Sequence, residues 1–208
     1  MSSSVVVDMN QKLPIMEMFY SIQGEGKYSG RPAVFIRLGG CDVGCHWCDV
    51  KESWNAEAHP ETSITDIITY VRSTGAKFVV ITGGEPGMYD LTHLTHALHD
   101  DEIEVAIETS GVYELKGAFD WICFSPKKFK APHASIYDTA NELKVIVFHN
   151  SDLKWAEEHA EKVNTECKLY LQPEWDKRDT NTDLIIDYIK TNQHWNISLQ
   201  THKYIGVE

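Results

Sequence analysis

Three cysteines lie close together in the chain, Cys41, Cys45 and Cys48, with the spacing C-x3-C-x2-C. Thiolates are soft ligands that suit zinc or an iron–sulfur cluster, and glycines at positions 39, 40 and 44 let the backbone wrap a bulky group. A structural zinc ion needs a fourth ligand, which His46 could supply. A 4Fe–4S cluster held by three cysteines instead leaves one iron open to a substrate or cofactor. The spacing therefore predicts a metal site and leaves zinc and iron–sulfur both open.

The elements around this loop alternate between strand-like and helix-like patterns. Short runs rich in β-branched and aromatic residues predict strands at Ala33–Leu38, Phe78–Thr82, Glu104–Glu108, Trp121–Phe124, Leu143–Phe148, Lys168–Gln172 and Asn196–Leu199. Helical spacing of apolar residues predicts helices at Ile64–Arg72, Leu91–Leu98, Ser151–Val163, with Ser151 as N-cap, and Thr182–Lys190. Such alternation predicts an α/β fold with a parallel sheet, which could be open or rolled into a barrel.

Polar segments follow five of these predicted strands. They are GGCDVGCHWCD, TGGEP, ETSG, SPK and QPEW, in chain order. In a parallel sheet the carboxyl ends of the strands meet along one edge, and ligands bind there. We therefore expect all five segments to line a single active site.

Composition bounds the class of protein. The 208 residues are 42% hydrophobic, carry a formal net charge of −12, and contain no apolar run long enough to cross a bilayer. We expect one domain over residues 1–208 with a loose arm at residues 1–14, a cytoplasmic location, and neither nucleic-acid nor membrane binding. Five cysteines are an odd number, which argues against a disulfide framework, and Cys123 and Cys167 fit small buried hydrophobes.

Two motifs carry a resemblance to the radical S-adenosylmethionine (SAM) enzymes. The loop CDVGCHWC, from Cys41 to Cys48, resembles their cysteine signature, and TGGEP, from Thr82 to Pro86, resembles the stretch that lines the methionine end of SAM. The resemblance implies a partial (β/α) barrel, a 4Fe–4S cluster on the three cysteines, and SAM on the open iron. SAM is then cleaved by one electron to a 5′-deoxyadenosyl radical, so the cofactor supplies the hard chemistry.

Further segments are similar to the 7-carboxy-7-deazaguanine synthase family. They are FYSIQGEG, GRPAVFIRLGGC, SPK, QPEW and SLQTHK, and they extend the resemblance from Phe19 to Lys203. The resemblance implies that 6-carboxy-5,6,7,8-tetrahydropterin is contracted to 7-carboxy-7-deazaguanine with loss of ammonia, a step toward queuosine and related deazapurines. It also implies hydrogen abstraction from C6 of the pterin, regeneration of SAM, a flavodoxin- or ferredoxin-like electron donor, and a homodimer.

The family pattern also assigns residues to the two small molecules. Carried over to this chain, the SAM-binding residues are Trp47, Asp49, Gly84, Ser125, Pro126, Lys127, Gln172, Pro173, Glu174 and Trp175, together with Glu85 of the TGGEP stretch. Glu108 is a further candidate for SAM binding, because a carboxylate can accept hydrogen bonds from two ribose hydroxyls. The substrate-binding residues are Ile22, Gln23, Gly24, Glu25, Arg37, Thr82 and His202. No residue beyond the cluster and SAM is expected to be catalytic.

The chemistry of these residue types is compatible with the assignment, although simpler roles exist. Amide and carboxylate side chains match the donors and acceptors of a pterin edge, and a guanidinium suits a substrate carboxylate. Arg37 could instead pair with a surface acid, and QGEG could be only a turn. Glu85 could fix its own turn or reach the ammonium of SAM, and Glu108 could bind ribose or cap a strand.

One position departs from the family pattern. Many members carry Ser or Thr two residues after the last cysteine, where its oxygen contacts a magnesium ion, but this chain has Val50. A hard cation needs oxygen ligands, so only Asp49, water and substrate would remain. We therefore expect this chain to need magnesium less than its Ser/Thr relatives.

Two other functions are compatible with parts of the sequence. The radical SAM motifs would fit a glycyl-radical-activating enzyme with a protein partner, and the cysteine loop would fit a zinc-stabilised, non-catalytic binding module. A second metal site at His93, His96 and His99 is less expected than a solvated helix surface.

Overall fold

The architecture is a nine-stranded, mostly parallel sheet with helices packed on it, seen in a computed structural model that describes residues 6–207. The strands are β1 (Lys12–Ile22), β2 (Pro32–Leu38), β3 (Glu61–Ser63), β4 (Phe78–Gly83), β5 (Glu104–Thr109), β6 (Trp121–Phe124), β7 (Glu142–Val147), β8 (Lys168–Pro173) and β9 (Trp195–Ile197). The helices are α1 (Ile64–Thr74), α2 (Thr92–Asp100), α3 (Ser135–Thr139), α4 (Ser151–Ala160), α5 (Arg178–Thr191) and α6 (Thr201–Ile205).

The strand order is β3-β1-β2-β4-β5-β6-β7-β8-β9. From β2 to β9 every neighbouring pair is parallel, whereas β1 runs antiparallel to both β2 and β3. The order ends at β3 and β9, so the sheet is open. The prediction of an α/β fold in the form of a partial (β/α) barrel is thus confirmed. No helix within residues 6–207 has the length and apolar character that a membrane crossing demands.

Alternation along the strands gives the sheet two different faces. In β2, Val34, Ile36 and Leu38 point into the main core, which the helices cover. The intervening Phe35 faces the other side with Phe78 and Val80 of β4. Successive side chains of a strand point to opposite faces, so the alternate residues share the inner face. This inner face leads at its carboxyl edge to the functional site.

Helix α1 shows how the local sequence fixes an element of the outer layer. Ser63 is the N-cap, and its side chain accepts a hydrogen bond from the Asp66 backbone N–H. Gly75 ends the helix in the left-handed conformation, with φ of 70°, which glycine adopts without a steric penalty. The buried residues between these caps recur at helical spacing and pack on the sheet.

The amino-terminal region differs from the sequence prediction. Lys12–Pro14 pairs with β3, and Leu13 is 1% exposed, so the loose arm predicted over residues 1–14 cannot extend to residue 14. The backbone of Ile64 and Thr65 also donates to Gln11 and Met9. Residues 1–5 of the predicted arm lie outside the described residues. The sequence pattern predicts no strand before Ala33, but the first residues of FYSIQGEG, Phe19–Ile22, belong to β1.

Helix α4 also departs from its predicted form. It ends at Ala160 rather than Val163, and its N-cap is Asn150, without a side-chain cap. The carboxylate of Asp152 instead accepts the backbone N–H groups of Phe148 and His149, both at 2.8 Å. These two donors precede the helix, so Asp152 fixes the chain that enters α4, and Ser151 is the first helical residue rather than the predicted N-cap.

Candidate active site

A cavity of about 290 Å³ opens at the carboxyl edge of the parallel strands. It is lined by residues from all five predicted polar segments, as well as by β1 and the carboxyl-terminal segment. The lining includes most of the predicted site residues: Ile22, Gln23, Glu25, Arg37, Cys41, Cys45, Trp47, Cys48, Asp49, Thr82, Gly84, Glu85, Glu108, Ser125, Lys127, Gln172, Pro173, Glu174, Trp175 and His202. The predicted convergence of the segments on one site is confirmed.

Two predicted residues, Gly24 and Pro126, lie behind this lining. Pro126 is buried next to Ser125. At Gly24 a Cβ atom would lie 2.1 Å from Nδ1 of His202, and the Gly24 carbonyl accepts the backbone N–H of Thr201 at 3.0 Å. Gly24 therefore allows the carboxyl-terminal segment to approach β1 closely, which places His202 at the cavity.

The cysteine loop is fixed by backbone hydrogen bonds and packs against a small group of apolar side chains. The N–H of Gly40 donates to the Ser53 carbonyl at 2.6 Å, and Gly40 has φ of 95°, a conformation that favours glycine. Cys45 is 8% exposed and clusters with Val43 and Val112, against which Cys41 and Cys48 also pack. The three sulfur atoms thus share one small apolar region at the cavity wall.

Burial keeps the Cys41 and Cys45 thiols protonated in the absence of a bound metal. It raises the pKa of Cys45 to about 11 and also raises the pKa of Cys41. Within residues 6–207, no three His, Cys, Asp or Glu side chains gather as tightly as a single metal ion requires. A cubane is larger than one ion, and three soft donors around an apolar, glycine-containing loop fit it chemically.

His46 is not directed at the thiols. Its ring packs edge-on against Phe129 at 5.3 Å and lies 6.2 Å from Phe148, centroid to centroid. His46 is also absent from the residues that line the cavity. The fourth zinc ligand considered from the sequence therefore lies on the outer side of the loop.

Side-chain hydrogen bonds also join the cysteine loop to the loops after β5 and β6. The Tyr113 hydroxyl donates to the Asp42 carboxylate at 2.5 Å, and the Lys130 ammonium donates to the same carboxylate at 2.6 Å. The Lys130 ammonium also lies 4.5 Å from the Tyr113 ring centroid. These contacts are partly exposed, so each holds the loop with modest strength.

The TGGEP turn approaches the cysteine loop closely. A Cβ atom at Gly84 would lie 2.2 Å from the Gly40 carbonyl oxygen and 2.9 Å from Cβ of Cys41. The backbone N–H of Glu85 donates to that same carbonyl at 2.8 Å. Only a residue without a side chain permits this contact, which explains the glycine at position 84.

The Glu85 carboxylate fixes this turn. It is 1% exposed and accepts four hydrogen bonds: from Gly87 N–H at 2.8 Å, Thr109 Oγ1 at 2.6 Å, and both the backbone N–H and the hydroxyl of Ser110. Two carboxylate oxygens offer about four acceptor sites, so the group is fully used. Of the two roles considered from the sequence, these bonds support the fixing of the turn.

The opposite end of the cavity contains a buried charge network centred on Lys144 of β7. The Lys144 side chain is 3% exposed, and its ammonium forms ion pairs with the carboxylates of Glu25 and of Glu108, the latter at 3.2 Å. Glu108 also accepts the Gln23 side-chain amide at 2.8 Å, and Glu25 accepts the Gln200 amide at 2.9 Å. Strand and loop residues far apart in sequence thus form one connected network.

The network controls its own protonation. Burial alone would raise the pKa of Glu25, but the Lys144 ammonium and the hydrogen bonds from Lys144 and Gln200 lower the pKa to about 2. Burial opposes the charge of Lys144, yet the surrounding thiol and carboxylates raise its pKa well above the usual value. Both groups are therefore charged at neutral pH.

A second lysine, Lys127, is half-buried, lies nearer the cysteines and has a different environment. Its ammonium donates to the Ser125 carbonyl at 2.7 Å and to the Ser125 hydroxyl at 2.6 Å, and it lies 5.8 Å from the Trp47 ring centroid. Burial lowers the pKa of Lys127. This cation can therefore gain from an anionic group in the cavity.

The segment after β8 is tied to the carboxyl-terminal segment. Gln172 accepts the Ser198 hydroxyl at 2.6 Å, and Ser198 accepts the Gly26 backbone N–H at 2.9 Å. The Trp175 ring packs against Tyr204 at 5.2 Å and under the Arg178 guanidinium at 4.3 Å. These contacts fix the side chains of Gln172 and Trp175 before any ligand binds.

Arg37 and Asp49 both have ion-pair partners at the cavity rim. Arg37 donates to Glu17 at 2.6 Å, as the simpler alternative from the sequence proposed, but it also lines the cavity beside its strand neighbour Thr82. Asp49 pairs with Lys203 at 2.8 Å. Val50 lines the cavity with an apolar side chain.

Sequence reasoning missed three polar residues of the site, Lys144, Ser198 and Gln200. Lys144 gave a usable signal, because a single lysine interrupts the apolar strand sequence ELKVIV. A charged residue inside a buried strand is rare unless it is paired. Ser198 and Gln200 gave no such signal, since their roles depend on where the carboxyl-terminal segment packs.

Comparison with known proteins places the chain in a family. Residues 35–131 match the Radical SAM superfamily. The 7-carboxy-7-deazaguanine synthase of Flavobacterium psychrophilum is 53% identical over 98% of this chain and 96% of its own length, and that of Synechocystis is 50% identical over 93% of each. The crystal structure of QueE from Escherichia coli matches with a TM-score of 0.83 and 32% identity, over 90% of this chain and 93% of that one. The chain therefore belongs to the 7-carboxy-7-deazaguanine synthase family of radical SAM enzymes.

Proposed function

We infer that the cavity contracts the ring of 6-carboxy-5,6,7,8-tetrahydropterin to 7-carboxy-7-deazaguanine, with release of ammonia. The chain is an enzyme of the radical SAM type, and the family uses a 4Fe–4S cluster and SAM. The observation that carries the proposal is the meeting of the cysteine loop, the TGGEP turn and the charged network in one cavity. A fold alone would not support an activity, but these groups together do.

The cysteine end of the cavity would hold the cluster and SAM. Cys41, Cys45 and Cys48 are the ligands of the cluster, and Gly84 lets the TGGEP turn pack directly against their loop, so the methionine part of SAM would meet both segments. When bound and reduced by one electron, the pair supplies a 5′-deoxyadenosyl radical that abstracts hydrogen. The Lys127 ammonium lies where it can attract a carboxylate.

The other SAM contacts would come from the remaining segments around this end. Glu108 offers carboxylate oxygens to ribose hydroxyls, which are donors. The residues that would surround the nucleoside are Trp47, Asp49, Ser125, Pro126, Gln172, Pro173, Glu174 and Trp175. Because Glu85 is fully hydrogen-bonded, its part is to hold the TGGEP turn in place.

The charged end of the cavity would bind the pterin. An ionised Glu25 accepts hydrogen bonds from the amino and ring N–H donors of the pterin edge, and Gln23 offers an adjacent amide. Arg37 and Thr82 lie side by side at the ends of β2 and β4, where they can meet the substrate carboxylate. His202 and Ile22 complete this wall, and Gly24 lies behind it, where it allows His202 to approach.

Magnesium would have a minor part in this chain. Val50 supplies no oxygen, and the Asp49 carboxylate already pairs with Lys203. We therefore expect product formation to persist after chelation of divalent cations, and Val50→Thr to make the rate respond to added magnesium. A purified, unmodified enzyme that depends wholly on magnesium would contradict this.

Other properties of the family complete the proposal. The chain would receive its electron from a flavodoxin- or ferredoxin-like donor, act in the cytoplasm, and form a homodimer. Its formal net charge of −12 makes direct contact with nucleic acid or an anionic membrane unfavourable.

One assay tests the activity. The protein is reconstituted with iron and sulfide under anaerobic conditions and incubated with SAM, reductant and carboxytetrahydropterin, and the product is identified by mass. We expect 7-carboxy-7-deazaguanine and one equivalent of ammonia. Cleavage of SAM without any deazapurine would favour the glycyl-radical-activating alternative, while colourless protein with stoichiometric zinc would favour the binding module.

A further inference from the structure

The inner face of β7 carries a lysine in a position that the family pattern did not identify. Leu143, Val145 and Val147 point into the main core, so the alternate residues Glu142, Lys144 and Ile146 face the other side. Lys144 lines the cavity there. A lysine that is 3% exposed needs a specific compensation for its burial, which a surface residue would not.

The compensation comes from two carboxylates that are themselves proposed ligand contacts. The Lys144 ammonium donates to Glu25 and to Glu108, and each acid is held by a further amide, from Gln200 and Gln23 respectively. Glu25 and Glu108 come from different elements, the segment after β1 and strand β5. Lys144 is the group that joins them.

We propose that Lys144 is a positioning residue: its ammonium holds the Glu25 and Glu108 carboxylates in the floor of the cavity in the ionised, hydrogen-bond-accepting form that a pterin edge and a ribose need. This rests on the proposed function of the cavity. Without the cation, two buried carboxylates would face each other, and at least one would take up a proton. A protonated carboxyl has lost an acceptor and gained a donor, which does not match the donors of the pterin edge.

The other charged groups near Glu25 do not replace Lys144. The titratable or charged groups that face the network are Glu108, Cys123, Lys127, Glu142 and His202. Two of them are acids that disfavour a further negative charge, and burial lowers the pKa of both Lys127 and His202. When Lys144 is neutralised, burial therefore raises the pKa of Glu25 and makes ligand binding depend on pH.

The test measures binding of the stable product, 7-carboxy-7-deazaguanine, by calorimetry. The protein contains its cluster and SAM but no reductant, so turnover is absent. For the unmodified enzyme we expect a nearly constant Kd from about pH 6.5 to about pH 8.5. For Lys144→Met we expect a Kd raised at least about tenfold at pH 6.5 that recovers about tenfold per pH unit as Glu25 ionises.

Two further variants separate positioning from general damage. Lys168→Met removes an exposed lysine at the start of β8 and should leave the Kd and its pH profile unchanged. Lys144→Met combined with Glu25→Gln should bind weakly at every pH, because the group that titrates is gone. Circular dichroism and iron content report whether each variant folds and retains its cluster.

The outcomes are distinct. A Lys144→Met protein that folds and shows the flat, unshifted profile of the unmodified enzyme would overturn the proposal. If Lys144→Met fails to fold, the unmodified enzyme still decides, since affinity that weakens at low pH and is made independent of pH by Glu25→Gln would also overturn it. Failure of the unmodified enzyme to bind or make the deazapurine would instead refute the proposed function.

Discussion

Buried ionisable groups differ in charge state between the two ends of the cavity. At the charged end, the Lys144 ammonium pairs with the Glu25 and Glu108 carboxylates, and Glu25 and Lys144 keep their charges despite burial. At the cysteine end, burial has the largest effect and raises the pKa of Cys41 and Cys45, although the Lys127 ammonium opposes this at Cys45. One end is therefore complete in the protein alone, whereas the other requires an added positive group.

This difference fits the two ligands that the ends would bind. A neutral pterin edge is recognised by acceptors that must already be in place, so preorganised charge helps. A cluster brings its own charge and converts thiols to thiolates on binding. We therefore expect loss of a cluster ligand to abolish activity. Substitution of a residue that only positions a loop or a ligand should reduce stability or affinity by a limited amount.

The largest effect is expected from Cys45→Ala. Loss of one of three ligands should remove the cluster, so iron should fall to background and no product should form. The measurement is iron per chain after anaerobic reconstitution, with the product assay. Cys167→Ala is the matched control, since Cys167 is equally buried, at 8% exposure, but lies outside the loop. Full iron and activity in Cys45→Ala would refute the assignment of the ligands.

The next effect is expected from Glu85→Gln, which keeps the size and shape of the side chain but replaces one acceptor oxygen with a donor amide. Two of the four buried donors from Gly87, Thr109 and Ser110 would then lack an acceptor. We expect the free energy of unfolding in urea to fall by about 2 to 3 kcal/mol. SAM should also bind more weakly, because Gly84 would lose its fixed position. The exposed substitution Glu166→Gln should change neither quantity, and equal behaviour of the two variants would contradict the role given to Glu85.

The contrast between the ends also explains what the sequence could predict. Cys41–Cys48 and Thr82–Pro86 are local motifs, in which spacing alone brings the functional groups together. The network around Lys144 joins β1, β5, β7 and the carboxyl-terminal segment, so its contacts exist only after the chain has folded. The sequence pointed to Glu25 through the resemblance and to Glu108 through the chemistry of a carboxylate, but not to the cation between them.

The same limit applies to the elements of the fold. Strands of the parallel sheet were predicted because they are buried apolar runs, such as Phe78–Gly83. Strand β1 was missed because KLPIMEMFYSI contains a proline and its burial does not alternate, since it pairs with β3 only at its start and lies beside β2 afterwards. A strand whose neighbours change along its length is specified by those neighbours more than by its own pattern.

A third buried group, His159 of α4, sharpens the comparison. It is 5% exposed and accepts or donates one hydrogen bond with the Tyr137 hydroxyl at 2.9 Å, but it has no paired acid. Burial, assisted by Lys162, lowers the pKa of His159 to about 4. Like the thiols, this group is neutral in the folded protein.

The stability of the protein should therefore depend on pH through His159. Its folded pKa is below its unfolded value of about 6.5, so the stabilisation is full above about pH 6.5 and is lost as pH falls toward 4. We expect about 2 kcal/mol of unfolding free energy to disappear across this window, and His159→Phe to flatten the slope. Urea denaturation at several pH values measures both. An equal slope in the two proteins would show that other groups control acid stability.

The smallest effect is expected from Tyr113→Phe, which removes one surface hydrogen bond of the cysteine loop. Only the hydroxyl that donates to Asp42 is removed, while Lys130 retains its own bond to that carboxylate. An exposed interaction of this kind contributes less than about 1 kcal/mol, so the cluster should still assemble and the protein should keep its overall stability. The loop should open more often, and a chelator should therefore remove iron a few times faster, which the decay of the cluster absorbance measures.

Tyr20→Phe is the control for this measurement. Tyr20 is 51% exposed on β1, and its substitution should not alter the rate of iron loss. An unchanged rate of iron loss in Tyr113→Phe would mean that packing against Val43 and Val112 is sufficient to hold the loop and that its surface hydrogen bonds contribute nothing.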